Sequence, residues 1–466
     1  TDLLRHLVSG VRSAPLVQQE AEPATHRGGL KARQVERLFR ELLTSELQKI
    51  LRDCGDVGEA LAMPVYAVGG FVRDLLLRQE NLDVDLVVEG DGIAFAEEFA
   101  RRHPCRVRSH RKFGTAILIF PDGGKIDIAS ARMEYYLEPG ALPTVEHSSI
   151  KLDLYRRDFT INTLAIALNG KRHGELLDFF GGQRDLRDKV LRVLHNLSFV
   201  EDPTRVFRAV RFEQRLGFHL GAHTENLLKS AIQMGFMSRV SGARLFNELT
   251  IIFKEANPLP AVFRLAELGL LPCIHPALTL GERKRRLFEA AGQAVLWYEF
   301  QHPGKTLQRW EVYFLCLISD LDYRAVPAIA RRLDVPARFR ERLRAQRGQA
   351  HRVIRQLARR IGRGKTPRPS ELHRVLSGFT DEVLLYILAR LSDEQARQWV
   401  AHFITHLRQT TTQLDGHALK ELGFPPGPLY KKILALLLAE RLDGRIHSLE
   451  DEIALVRRRF DRPGAR

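Results

Sequence analysis

Cysteine is scarce and scattered: Cys54, Cys105, Cys273 and Cys316 are the only four in 466 residues. None falls in a Cys-x-x-Cys or Cys/His spacing, so a disulfide framework or structural zinc is not expected, and a reducing cytoplasmic setting fits. Long apolar runs are also missing. Ile433 to Ala439, among the longest, is far short of the ~20 residues a membrane helix needs, so no membrane association is expected. No signal peptide is visible, and the start at Thr1 rather than Met suggests a fragment or a processed product. Acid is in deficit: 56 Asp and Glu stand against 72 Lys and Arg, a net charge of +16. A polyanionic partner follows from that balance, and no fold does. The rest is ordinary for a globular protein, 44% hydrophobic and 27% charged. The length exceeds the roughly 250–300 residues at which one core stops growing, so more than one domain is expected.

The patterning divides the chain. Residues 1–34 read as a stub and linker, because Ala14 to Gly29 mixes Pro, Gln, Glu and Gly without apolar periodicity. Apolar residues from Val35 to Leu51 recur at helical spacing, which predicts one amphipathic helix over 32–61. Val65-Tyr66-Ala67-Val68 reads as a strand ending in Gly69-Gly70, then a helix over 71–77. Leu82 to Val88, Ala116 to Phe120 and Lys125 to Ala129 read as further strands. Beyond about Asp185 nearly every long segment has helical periodicity. The expected fold is therefore α+β: a mixed-sheet head over 35–185, a helical neck over 186–255 and a helical body and tail over 256–466. Between Arg331 and Arg368 ten or more arginines face only Asp334 and Glu341. That imbalance is too large for ordinary i,i+4 pairing and favours a phosphate-contacting surface over a solvated face.

The chemistry concentrates in the head. Gly69 and Gly70 let the backbone approach a phosphate at the start of a helix, with Arg73 as a nearby charged fork. A tight turn is the plainer reading. Asp83 and Asp85, two apart on a strand, share a face while Val84 turns inward. Two such carboxylates repel unless a cation lies between them, and Mg²⁺ suits oxygen ligands and phosphates. A third carboxylate would complete a two-metal site. Asp127, alone on an apolar strand, is the first choice, and Asp158 the alternative. If Asp127 is the ligand, Asp158 and Asn162 are left to hold ribose or loop, and Arg156 and Arg157 to face phosphates.

Taken in order, these elements resemble the class II tRNA nucleotidyltransferase and bacterial poly(A) polymerase family, within the polymerase-beta-like superfamily. Gly69 to Asp85 resembles its GGxVRD and DxD element, Arg156 to Asn162 its RRDFTIN element, and Asp178 to Leu186 the Gly-Gly segment that follows. Glu201 to Arg208 resembles EDPxRxxR, and Val240 to Glu248 a weaker helical motif. Leu414 to Gly416 and Leu422 to Pro428 resemble the tail of the same enzymes. The resemblance implies a template-independent enzyme that adds A, or all of CCA, to the tRNA 3′ end from ATP and CTP with release of pyrophosphate. It implies that Asp202 and Arg205 read the incoming base, with Arg208 on the same helix. The plainer reading of Asp202 is a helix cap followed by Pro203. The polar, Pro- and Gly-broken stretch from Arg132 to Ser149 corresponds to a flexible loop that tunes nucleotide choice. Thr1 to Leu7 resembles the last helix of a CBS domain, which some long members carry upstream.

Two other functions compete. A poly(A) polymerase usually shows Gly before its basic pair and Phe, where this chain has Ser109-His110-Arg111-Lys112-Phe113-Gly114. An RNA-binding protein without catalysis would have no reason to keep Asp83 and Asp85 together.

Overall fold

The computed structural model describes residues 30–79, 83–135, 144–322 and 324–460. Residues 1–29 of the stub, with the CBS-like heptad, and Leu82 therefore lie outside the described residues, while the first helix begins inside the stretch read as linker. Two compact units divide the chain, Thr1–Val240 and Ser241–Arg466. The division falls inside the stretch read above as a single neck.

The first unit opens with two helices where one was expected, α1 (Ala32–Leu42) and α2 (Ser45–Ala60). The break is local chemistry: the Thr44 hydroxyl accepts from Leu47 N and caps the second helix. Then come β1 (Val65–Val68), α3 (Gly70–Leu76), β2 (Val84–Val88), α4 (Gly92–Arg102), β3 (Arg106–His110), β4 (Thr115–Ile119) and β5 (Lys125–Ser130). Two short strands, β6 (Arg132–Tyr135) and β7 (Thr144–His147), pair antiparallel where a loop was expected, and residues 136–143 between them in sequence lie outside the described residues. After it follow α5 (Ile150–Tyr155), β8 (Leu164–Ala167), β9 (Leu176–Asp178), α6 (Gly182–Asp188), β10 (Val190–Leu191), α7 (Ser198–Glu201), α8 (Arg205–Leu216), β11 (His219–Leu220) and α9 (Ala222–Gln233).

Seven strands form one mixed sheet in the order β3-β4-β5-β2-β1-β8-β9, with β2 and β5 parallel and the other pairs antiparallel. Alternation assigns the faces. Val84, Leu86, Ala116, Leu118, Ile126 and Ile128 turn to one side, which α4 covers with buried Phe95 and Phe99. The Asp91 carboxylate starts α4 by accepting from Ile93 N and Ala94 N, and Arg101 and Arg102 suit its last turn. On the other side, Tyr66, Val68, Val87, Ala165, Ala167 and Leu177 pack with Ile150 and Leu154 of α5. That helix covers β1, β8 and β9. Asp85 shares this second face, two residues from Val87.

Among its described residues the second unit is helical. Its longest helix, Ala337–Ile361, buries Phe339, Leu343, Ala350, Val353 and Leu357. The arginines of this basic segment divide by partner. Arg347 is buried and donates to the Ile318 and Leu321 carbonyls, Arg342 pairs with Glu311, and Arg360 with Glu371. Arg352, Arg355, Arg359 and Arg363 are exposed and line a cavity of about 790 Å³ with Lys365. Near the chain end, Phe424, Ile433, Leu437, Leu455 and Val456 share a core beneath the Pro-rich turn. Buried Glu452 there accepts from Gln413 N, Leu414 N and Arg441. No helix among the described residues is long and apolar enough to cross a membrane.

Candidate active site

Register brings the sequence's acids together. Asp85 of β2 stands directly opposite Asp127 of β5, and Val84, the residue after Asp83, is paired with Ile126. Neighbouring strands are about 4.8 Å apart, so the two side chains rise side by side from one face. Both are exposed, yet burial of their bases pushes both carboxyls up from the ordinary value. For Asp85 the Arg157 charge opposes this while Asp127 and Asp83 add to it. For Asp127 the Asp83 charge adds to it and Lys125 opposes. The charges of Asp127 and Asp83 raise Asp85 and that of Asp83 raises Asp127, so the acids form a negative spot, which suits a hard divalent cation. Among the described residues no group of three or more His, Cys, Asp or Glu side chains is drawn together closely enough to enclose a metal unaided. A cation held here would have to share its ligands with substrate oxygens, as Mg²⁺ does readily.

Gly69 flanks this spot. It has φ 69° and ψ −129°, a conformation open essentially to glycine alone. A Cβ there would stand 2.4 Å from Arg157 Nη1 and 3.9 Å from Asp85 Oδ2. Gly70 begins α3 beside it. Thus the Gly-Gly turn, Arg157 and the acids meet at one place. Gly69→Ala is expected to cost about 1–3 kcal/mol of stability from backbone strain and to displace Arg157. A lowered thermal midpoint in calorimetry is the check, and an unchanged midpoint would show that the turn carries no such strain.

The other candidate residues form a connected interior network. Arg73 is buried. Its guanidinium donates to Asp74 at 2.6 and 2.8 Å and to Asn162 Oδ1 at 2.7 Å, so the fork expected at a triphosphate is engaged inside the protein. Asn162 Nδ2 donates to Asp158 Oδ1 at 2.9 Å, and Arg208 Nε donates to Asp158 Oδ2 at 2.7 Å. Burial alone would push the Asp158 carboxyl up. The Arg208 charge, the Asn162 and Arg208 hydrogen bonds and the Arg205 charge outweigh it and bring the group to about 2. Asp158 is therefore committed to this network, whereas Asp127 stands opposite Asp85.

Asp202 and Arg205 flank the start of α8. Asp202 Oδ1 accepts from Thr204 N and Oγ1, the capping role that the plainer reading anticipated. Arg205 is buried and donates to Ser198 Oγ at 2.7 Å and to the Arg156 carbonyl at 2.7 Å. Arg156 in turn donates to Glu134 of β6 at 2.8 Å and to Asp153 at 2.7 Å.

Sequence reasoning missed Asp153. It is fully buried and gathers Arg156, Arg157 and the Arg132 N–H. Desolvation pushes its carboxyl up, but Arg157 and Arg156 prevail and lower it. The signal available was its spacing, three and four residues before two arginines. Also missed were Tyr155 and His195, whose rings lie 5.4 Å apart beside Arg205. Burial and the Arg205 charge bring His195 to about 4, so it is neutral at ordinary pH.

Comparison with known proteins decides the family. A model described as the poly A polymerase head domain matches residues 65–192, and one described as a probable RNA and SrmB-binding site of polymerase A matches 217–280. An A-adding tRNA nucleotidyltransferase of Geobacter sulfurreducens is 47% identical over 99% of this chain, which spans 52% of that relative's length. One from Halalkalibacterium halodurans is 31% identical over 91% of this chain and 95% of its own. A solved CCA-adding enzyme in an apo form superposes with a TM-score of 0.76 at 35% identity, covering 91% of this chain and 98% of that one.

The chain belongs to the tRNA nucleotidyltransferase family. As in the expected tRNA nucleotidyltransferase architecture, a mixed-sheet unit carries the acids and a helical region follows. Arg156, Arg157, Asp158, Asn162, Asp202, Arg205 and Arg208 all lie in the first unit with the acids.

Proposed function

We propose that this chain transfers AMP from ATP to the 3′ end of tRNA, releasing pyrophosphate. The observation that carries the reading is the facing pair Asp85 and Asp127, flanked by the Gly69 turn and Arg157. The names of the 47% and 31% identical relatives favour addition of A rather than of the whole CCA. The four free cysteines agree with a reducing cytoplasm.

Asp83 and Asp85, joined by Asp127, would hold Mg²⁺. Bound there, the metal supplies Lewis acidity for the attacking hydroxyl and for the leaving pyrophosphate. The chain's own groups do the rest. Gly69 and Gly70 leave room for the triphosphate to approach the backbone, and Arg157 offsets its charge. Asp202 accepts from the exocyclic amine of A and Arg205 donates to the adjacent ring nitrogen. A base with the opposite pattern would leave both charged groups unmatched, which is a strong penalty. Asp158, Asn162, Arg73 and Arg208 keep the base-reading helix in place against the acids. The RNA 3′-hydroxyl attacks the α-phosphate in line, its proton is lost, and the bond to pyrophosphate breaks.

Extension of three tRNA transcripts, ending before CCA, after C and after CC, tests this with CTP, ATP or both. One A added only to the CC-ended transcript is the expected result. Completion of the bare transcript from both nucleotides would make the protein a full CCA-adding enzyme. Long A tails on any RNA would point to a poly(A) polymerase, and no extension in Mg²⁺ to RNA binding alone.

A further inference from the structure

The sheet face that carries the acids is covered only in part. Helix α5 closes it over β1, β8 and β9. Across β5, β4 and β3 the described residues leave Asp127, Lys125, Arg106 and Arg108 of the same face exposed, and register shows what lies on it. Asp85 pairs with Asp127, Asp127 with Ile117, and Ile117 with Arg108. One row therefore runs from the acids to the free edge of the sheet, about 14 Å at the usual strand spacing. The next row runs from Lys125 through Ile119 to Arg106. Ile117 and Ile119 are half-buried, and Arg106 and Arg108 are exposed.

Neither arginine makes a side-chain hydrogen bond or ion pair among the described residues. Nearby Arg101 and Arg102, by contrast, both pair with Glu98. Charged residues on an edge strand usually serve to prevent edge-to-edge pairing. That purpose does not require them on the same face as the acids, yet Arg106 and Arg108 both point there. Two residues apart on a strand, they are separated by about 6.8 Å, on the scale of consecutive phosphates in an extended nucleic-acid strand.

We propose that this open face seats the last nucleotides of the acceptor RNA, with phosphates on Arg106 and Arg108 and sugar and base over Ile117 and Ile119. The inference rests on the nucleotidyltransferase reading and adds the direction of approach. In-line displacement puts the attacking hydroxyl and the leaving pyrophosphate on opposite sides of the α-phosphate. Gly69 and Arg157 lie on the β1 flank of Asp85. With the triphosphate there, the attacking strand must arrive from the opposite flank, across Asp127, which is where the open face lies. Positive charge meets the polyanion, and the apolar strip between the arginines and Asp127 meets the sugar and base.

The test uses the full chain. Arg106→Ala with Arg108→Ala is expected to raise the KM for CC-ended tRNA about tenfold and leave the KM for ATP unchanged. The slope of log affinity against log salt should fall by about 1.4, since each lost single-strand phosphate contact removes about 0.7. The Lys pair should restore most of the slope. An unchanged slope, or a rise in the ATP KM instead, would overturn the proposal. A photoactivatable aryl azide on the last internucleotide phosphate of the same tRNA gives a second measurement in the wild-type chain. Crosslinking to residues 106–119 is expected, and crosslinking elsewhere overturns the proposal even if catalysis is intact. A chain that crosslinks at 106–119 but adds no nucleotide would instead overturn the catalytic reading and leave the RNA seat standing.

Discussion

Asp85→Asn is expected to lower kcat for A addition by about 1,000-fold or more, roughly 4 kcal/mol of barrier, with tRNA affinity nearly unchanged. The same variant should be more stable than the wild type when no divalent cation is present. Burial, with the charges of Asp127 and Asp83, lifts the Asp85 carboxyl above its ordinary 3.8. A carboxyl whose value is higher in the folded than in the unfolded chain makes the folded state hold the extra proton. Stability then falls as pH rises from the unfolded value through the folded one, and the full loss is present at neutral pH. Asn removes that loss. The gap in Tm between variant and wild type should therefore open above pH 3.8 and be greatest near neutrality, on the order of 2 °C. Added Mg²⁺ should close it by stabilising the wild type alone. Calorimetry with and without chelator reads this apart from activity. Wild-type turnover by the variant would remove Asp85 from the chemistry, and a lower Tm without metal would mean that the acids do not repel.

Local chemistry was readable where it depended on spacing within one segment. The two-residue step from Asp83 to Asp85 is a property of any strand, and the solitary acid at 127 stood out against its apolar neighbours. What the residue order does not contain is which strand lies beside which. The facing of Asp85 and Asp127 arises because β5 comes back parallel to β2, about forty positions later. The pairing of β6 with β7 was hidden for the same reason, since Pro139 and Gly140 signal a loop and the strands on either side of them do not signal their pairing. Partners of charged groups were the least readable. Arg73, Arg156 and Arg208 have the residue type that binds phosphates, and each is instead drawn to a carboxylate of the chain itself. Asp153, the acid that organises two of the arginines, looks in the sequence like an ordinary surface pairing on a helix. Only its complete burial marks it as an anchor.

Asp158→Ala is expected to destabilise the first unit by about 3–5 kcal/mol, since it removes one partner of a buried ion pair and leaves the other uncompensated. The lower end is the better expectation, because the Arg208 side chain is one-third exposed and can turn to water. Acid should act on the same group. The carboxyl sits at about 2 in the fold and 3.8 as its ordinary value, so its contribution is complete above pH 3.8 and is lost as pH falls through 2. That is worth about 2 kcal/mol. Urea midpoints of the wild type and the Ala variant should converge across this window. The functional consequence follows from which elements Asp158 joins. Through Asn162 it reaches Arg73 on α3, next to the Gly69 turn, and through Arg208 it holds α8, which begins with Arg205. Loosening it should therefore blur the choice between ATP and the other nucleotides, by about tenfold in the ratio of kcat/KM, before it slows the chemical step. A double-mutant cycle with Arg208→Ala should give a coupling of about 1–3 kcal/mol in stability and a matching coupling in selectivity. Coupling in stability alone would make the network a support for the fold, with no part in presenting the base-reading helix.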